Sequence, residues 1–137
     1  MEEKEKPPEI FMGEGTVLVV DDDDMVRDVG EQMLKAFGYG VLVARNGKEA
    51  IRLCKASKER IDMIILDMIM PDMGGGEAFD GIKEINPKAK VLLWSGYSPN
   101  GQISEILERG CDGFIQKPFS AKELSQKIRQ ILDRKQS

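Results

Sequence analysis

The sequence predicts an α/β protein, a doubly wound, five-stranded parallel sheet with five helices. Three observations carry this. Short apolar, β-branched runs alternate with stretches of helical period five times along the chain, which calls for right-handed crossovers and a three-layer α/β/α arrangement. The run Met63-Ile64-Ile65-Leu66 has no polar alternation, as a central strand covered on both faces requires. Pro71 and Gly74-Gly75 punctuate that stretch too early for a helix, so Asp67 falls at a strand's carboxyl end.

The 137 residues, 41% hydrophobic and 32% charged, suit one globular domain with a real core. A net charge of −4 speaks against direct contact with nucleic acid. No apolar run approaches the roughly 20 residues of a membrane span. Met1 to Glu9 is charged and contains prolines, unlike a signal peptide, so a cytoplasmic location is expected. Cys54 and Cys111 match neither a metal cluster nor a disulfide framework and read as small buried apolar residues. The chain has no histidine, which excludes Ser-His and Cys-His catalysis and histidine-based metal sites. These 137 residues cannot themselves carry a phosphohistidine.

Residues 1–15, rich in Glu and Lys and carrying Pro7-Pro8, read as a flexible tail or linker. The domain is expected over 16–133, with a polar end at 134–137. Thr16 to Val20 is the first strand and runs into Asp21-Asp22-Asp23-Asp24. Met25, Val26, Val29, Met33, Leu34 and Phe37 follow at helical spacing, stopped by Gly38. Val41 to Ala44 is the second strand. Asn46 and Glu49 have N-cap and N3 spacing before the stripe Ala50, Ile51, Leu53 and Cys54. After the third strand, Ala78, Phe79, Ile82 and Ile85 mark a helix that Asn86-Pro87 ends. Val91 to Trp94, closed by Ser95-Gly96, is the fourth strand. Ile103, Ile106 and Leu107 mark a short helix before Gly110, and Phe114 to Gln116 is a brief fifth strand. Ser120 and Glu123 form a capping box for a last helix with Leu124, Ile128, Ile131 and Leu132 inward.

Polar residues then sit at the strand ends. Asp21 and Asp22 end the first strand, Asp67 the third, Ser95 the fourth and Lys117 the fifth. Arg45 ends the second and is given no role. With strand order 2-1-3-4-5 the switch point lies between strands one and three, so three carboxylates meet at one crevice. Clustered carboxylates repel unless a cation joins them. An all-oxygen site with few protein ligands suits Mg²⁺, with Mn²⁺ as the alternative ion. A phosphoryl group there needs a nucleophile, a positive charge and a donor, which Asp67, Lys117 and Ser95 supply. Taken singly, each has a plainer explanation: an acidic helix start for Asp21 to Asp24, a surface lysine, a turn serine. Together, at four strand ends, they make one site.

Val19-Val20-Asp21-Asp22, Leu66-Asp67 with Met70-Pro71, Ser95-Gly96 and Lys117-Pro118-Phe119 resemble the motifs of a response-regulator receiver domain of two-component signalling, over Thr16 to Leu132. The resemblance implies a flavodoxin-like fold and a switch phosphorylated on Asp67 by a histidine kinase or phosphotransfer domain. It implies that Asp21, Asp22, Asp67 and the backbone carbonyl of Ile69 hold the metal. Lys117 would contact the phosphoryl group, with Ser95 and Phe114 as switch residues. It also implies self-phosphorylation with autodephosphorylation rather than turnover of a small molecule, in a monomer or weak dimer without membrane contact. Gly96, where Ala is common, and Tyr97, where a charged residue is frequent, depart from the pattern. The segments Ser95-Gly96-Tyr97-Ser98 and Gly110 to Lys117 look most like the C-terminal receiver of a hybrid sensor kinase. Two rivals stand beside this. One is an aspartate-nucleophile phosphatase of the haloacid dehalogenase type using Asp21-Asp22-Asp23. The other is a degenerate receiver serving as a docking scaffold.

Overall fold

The computed structural model describes residues 10–57, 60–96 and 101–133. The elements run β1 (Thr16–Val20), α1 (Asp24–Ala36), β2 (Gly40–Ala44), α2 (Gly47–Ser57), β3 (Met63–Asp67), α3 (Gly75–Ile85), β4 (Val91–Ser95), α4 (Gly101–Glu108), β5 (Gly113–Gln116) and α5 (Ala121–Leu132). All strand pairs are parallel, in the order β2-β1-β3-β4-β5. Every residue of β3 and of β4 is buried, which explains their unbroken apolar sequence.

Strand alternation sorts the core into two layers. Val17, Val19, Met63, Ile65, Leu92, Trp94 and Ile115 meet α1 and α5 through Leu34, Phe37, Leu124, Ile128 and Ile131. Leu18, Val20, Ile64, Leu66, Val91 and Leu93 meet α2, α3 and α4 through Ala50, Cys54, Phe79, Ile82, Ile103 and Ile106. Both cysteines are buried and unpaired, and burial pushes each thiol up to about 11, as expected of apolar fillers.

Helix ends follow local chemistry. Ser120 and Glu123 form the full capping box of α5, and Asn46 Oδ1 accepts from Glu49 N at 2.9 Å. Asp72, far along the chain, accepts from Gly47 N at 3.1 Å and Lys48 N at 3.0 Å. With Ala50 N bonded to Asn46 O, the otherwise unpaired donors of the first turn of α2 are satisfied, and the loop after β3 is pinned to α2.

The tail expected over 1–15 lies largely outside the described residues, but its last part is bound to the domain. Phe11 N donates to Ser125 Oγ at 3.2 Å, Gly13 N to Phe37 O at 2.8 Å, and Gly40 N to Gly15 O at 2.8 Å. Gly38 accommodates this strap: its φ is +102°, and a Cβ there would sit 2.4 Å from Gly13 O. The side chains of Ile10, Phe11 and Met12 remain exposed. The attachment is made by main-chain donors and acceptors that any composition supplies, so composition misses it.

Candidate functional site

Three strand ends on the α1/α5 face build the site. The parallel ladder continues one residue past β1, with Asp21 N donating to Ala44 O at 3.2 Å. By alternation Asp21, Asp67 and Lys117 point to the same side as Val19, Ile65 and Ile115. Asp21 is 1% and Asp67 7% exposed, while Asp22 is exposed. Carboxylate oxygens of Asp21, Asp22 and Asp67 lie within 4.8 Å of one another. Lys117 Nζ stands 2.7 Å from Asp21 Oδ2 and 3.6 Å from Asp67 Oδ1.

Burial sets the electrostatics. Desolvation, with the neighbouring Asp21 charge second, pushes the Asp67 carboxyl up to about 7, against the opposing pull of Lys117 and the Ile69 amide. A divalent cation among these oxygens would remove that penalty. The donor set fits a hard cation: oxygen ligands, one of them exposed for entry, and too few to dispense with water. Asp23 and Asp24 do other work. Asp23 Oδ1 caps α1 through Met25 N at 2.9 Å and Val26 N at 3.2 Å, and Asp24 pairs with Arg27.

Ile69 follows Asp67 on the loop that Asp72 pins. Its side chain is 56% exposed, so any role must fall to its backbone. Gly75 closes this loop, because a Cβ there would come within 2.9 Å of Met68 Cα and 3.0 Å of Asp67 O. Ser95, 1% exposed, ends β4 in register with Gln116, and its carbonyl accepts from Lys117 N at 2.7 Å. Alternation puts Ser95 and the partly buried Phe114 on the opposite face from Asp67, with Leu93. No described residue crowds the Cβ position of Gly96. Tyr97 and Ser98 lie outside the described residues.

Three contributors escaped the sequence reading. Arg27 donates from NH1 to Asp21 O at 2.9 Å, bracing the end of β1. Trp94 is in register with Asp67 and carries Lys117 Nζ 5.1 Å from its ring centroid. Asp72 holds the loop. Only Trp94 left a signal, its place one residue before Ser95 on a strand facing the site.

An acidic crevice thus lies at the switch point of a 2-1-3-4-5 sheet, with Lys117 reaching across it. The model of the response regulator receiver domain matches residues 17–129. The chain belongs to that family. Among relatives of this receiver domain, a cyclic di-GMP phosphodiesterase of Thermotoga maritima is 36% identical over 117 residues, 85% of this chain and 31% of its own length. Sensor kinase CckA of Brucella abortus is 31% identical over 122 residues, 89% of this chain and 13% of its own length. This receiver thus spans less than a third of either relative. A CheX-CheY-BeF3-Mg²⁺ complex of Borrelia burgdorferi contains a similar chain, with TM-score 0.83 and 26% identity, covering 88% of this chain and 90% of that one. The receiver fold is that of two-component systems.

Proposed function

We propose that this receiver is a Mg²⁺-dependent phosphoacceptor switch with Asp67 as the accepting residue. The observation that carries the reading is the buried Asp67 carboxylate set between Asp21, Asp22 and Lys117. One oxygen of Asp67 attacks phosphorus on a partner's phosphohistidine. The P–N bond breaks, an acyl O–P bond forms, and the imidazole leaves with the electron pair and takes a proton from water. Lys117 meets the charge on the phosphoryl oxygens, and Ser95 offers a hydroxyl donor. Asp21, Asp22, Asp67 and the Ile69 carbonyl would hold Mg²⁺, or Mn²⁺. When bound, the cation neutralises charge developing on the transferred group.

The rim supports a protein donor. An apolar groove lined by Met25, Val29, Met33, Pro118 and Phe119 runs beside Lys117, with Met25 and Val29 exposed. A histidine kinase or phosphotransfer domain could rest apolar surface there while its imidazole reaches Asp67. The dehalogenase-type reading would make Asp21 the nucleophile. Asp21 is instead engaged by Lys117 and by Asp23 N at 2.9 Å, and the family is the receiver family. The complete set of groups speaks against a degenerate scaffold.

We further place the receiver at 16–133 with 1–15 as connector and 134–137 as the polar end, in a cytoplasmic monomer or weak dimer without nucleic-acid or membrane contact. No helix among the described residues is long and apolar enough to cross a membrane. The sensor kinase relative supports an origin in a hybrid kinase. The deciding experiment is intact-mass measurement after exposure to a small acyl phosphate with Mg²⁺. One phosphoryl group is expected, absent in Asp67→Asn and after chelation. Equal labelling of Asp67→Asn overturns the assignment.

A further inference from the structure

We propose that Trp94 is a positioning residue for Lys117, its indole face holding the ammonium over the crevice while that ammonium exchanges a carboxylate partner for a phosphoryl oxygen. This rests on the reading of Asp67 as phosphoacceptor. Trp94 is the chain's single tryptophan, fully buried, on the same face as Asp67 and in register with it.

The ring is held on several sides. It stacks on Phe119 at 5.5 Å between centroids and 20° between planes. Gly30 of α1 passes so close that a Cβ there would lie 2.7 Å from Trp94 Cη2. Lys117 Nζ, 5.1 Å from the ring centroid, is the charge this fixed surface meets. The indole N–H has no acceptor among the described residues. An apolar side chain would fill the same space without stranding a donor, so volume alone does not account for the ring. Its attraction for a cation does.

The arrangement has a use in the reaction. Lys117 stands closer to Asp21, at 2.7 Å, than to Asp67, at 3.6 Å. A phosphoryl group arriving on Asp67 requires the ammonium to exchange one oxygen partner for another. Hydrogen bonds to carboxylates are directional and break in that exchange. The attraction to a π face is broad, so the ammonium slides along it without returning to solvent.

The test compares the full chain with Trp94→Leu, which removes the π face, and Trp94→Phe, which keeps one. In a ¹H–¹³C spectrum the Lys117 ε-methylene should show an upfield ring-current shift in the parent, lost in the Leu variant and partly kept in the Phe variant. Phosphoryl uptake from a small acyl phosphate at saturating Mg²⁺ should be about tenfold slower in Trp94→Leu, the size a desolvated cation–π contact supports. It should recover to within about threefold of the parent in Trp94→Phe. The Mg²⁺ requirement should stay unchanged, since the ring holds the lysine and not the metal. A folded Trp94→Leu within about twofold of the parent, or a Phe variant as slow as the Leu variant, overturns the proposal. So does a parent without the upfield Lys117 shift, which needs no variant at all. Should Trp94→Leu fail to fold, Phe119→Leu takes its place: it unstacks the ring from a half-buried position and should weaken both the shift and the rate, and leaving both unchanged overturns the proposal. A parent that shows the shift yet takes up no phosphoryl group overturns the phosphoacceptor reading and this inference with it, and the shift tells that failure from the others.

Discussion

Asp67 is a carboxylate kept where a carboxylate is costly, and the cost has a sign and a pH window. Its folded value of about 7 lies above the ordinary 3.8, so the folded state holds more protons than the unfolded state between those values. Stability of the metal-free protein should therefore fall as pH rises from about 4 to about 7 and level off above. The limit is about 4 kcal/mol, from three pH units at roughly 1.4 kcal/mol each, with the opposing pull of Lys117 already contained in it. Asp67→Asn removes the penalty, so at pH 8 in chelator it should be more stable than the parent by about 2 kcal/mol or more. The gap should close near pH 4, and Mg²⁺ should stabilise the parent but not the variant. Urea midpoints across pH decide this, and a parent that gains stability relative to Asp67→Asn from pH 4 to 7 in chelator refutes it. The meeting of Asp21, Asp22, Asp67 and Lys117 was legible because each ends a strand, whereas Ser95 ends its strand on the opposite face. The displaced proton affinity was not, since burial depends on what α1 and α5 cover.

The helices show where local chemistry suffices and where it fails. Asn46 with Glu49, and Ser120 with Glu123, are caps built from neighbours in sequence, and both stand as read. Ser120→Ala should cost about 1 kcal/mol by thermal or urea unfolding, through loss of the bond from Glu123 N to Ser120 Oγ. The second cap on α2 comes from Asp72, 25 residues from Gly47, and no spacing rule reaches that far. Gly30 is a similar case. Alanine in a helix interior ordinarily gains about 0.5–1 kcal/mol over glycine. Here its Cβ would press on Trp94 Cη2 at 2.7 Å, and overpacking of this kind costs roughly 1–3 kcal/mol. Gly30→Ala should therefore destabilise the domain, and a stabilised variant would show that the ring yields freely.

Across the molecule, the sheet separates the two halves of the proposed switch. Asp67 faces α1 and α5, while Ser95 and Phe114 face α3 and α4 by alternation. Phosphate on Asp67 should draw the Ser95 hydroxyl toward it by a charge-assisted bond and free space for Phe114. Ser95→Ala should accept phosphate yet show muted amide shift changes over 103–119 with a phosphoryl mimic and Mg²⁺. Shifts as large as in the parent would remove the hydroxyl from the mechanism. The strand order and both layers were readable from five alternations, because period decides face. The strap over 11–15 was not, being tied by main-chain bonds. Deleting 1–15 should cost about 2–3 kcal/mol in urea unfolding, near 1 kcal/mol per bond lost, where loss of a flexible tail would cost little. The full burial of β3 has a further consequence, for the order in which the protein fails. Amides of Met63–Asp67 should exchange with deuterium only on global opening, while those of the half-buried β5 exchange through smaller excursions. A warmed or destabilised receiver would lose Lys117 from the crevice first, while Asp67 stayed in place on β3.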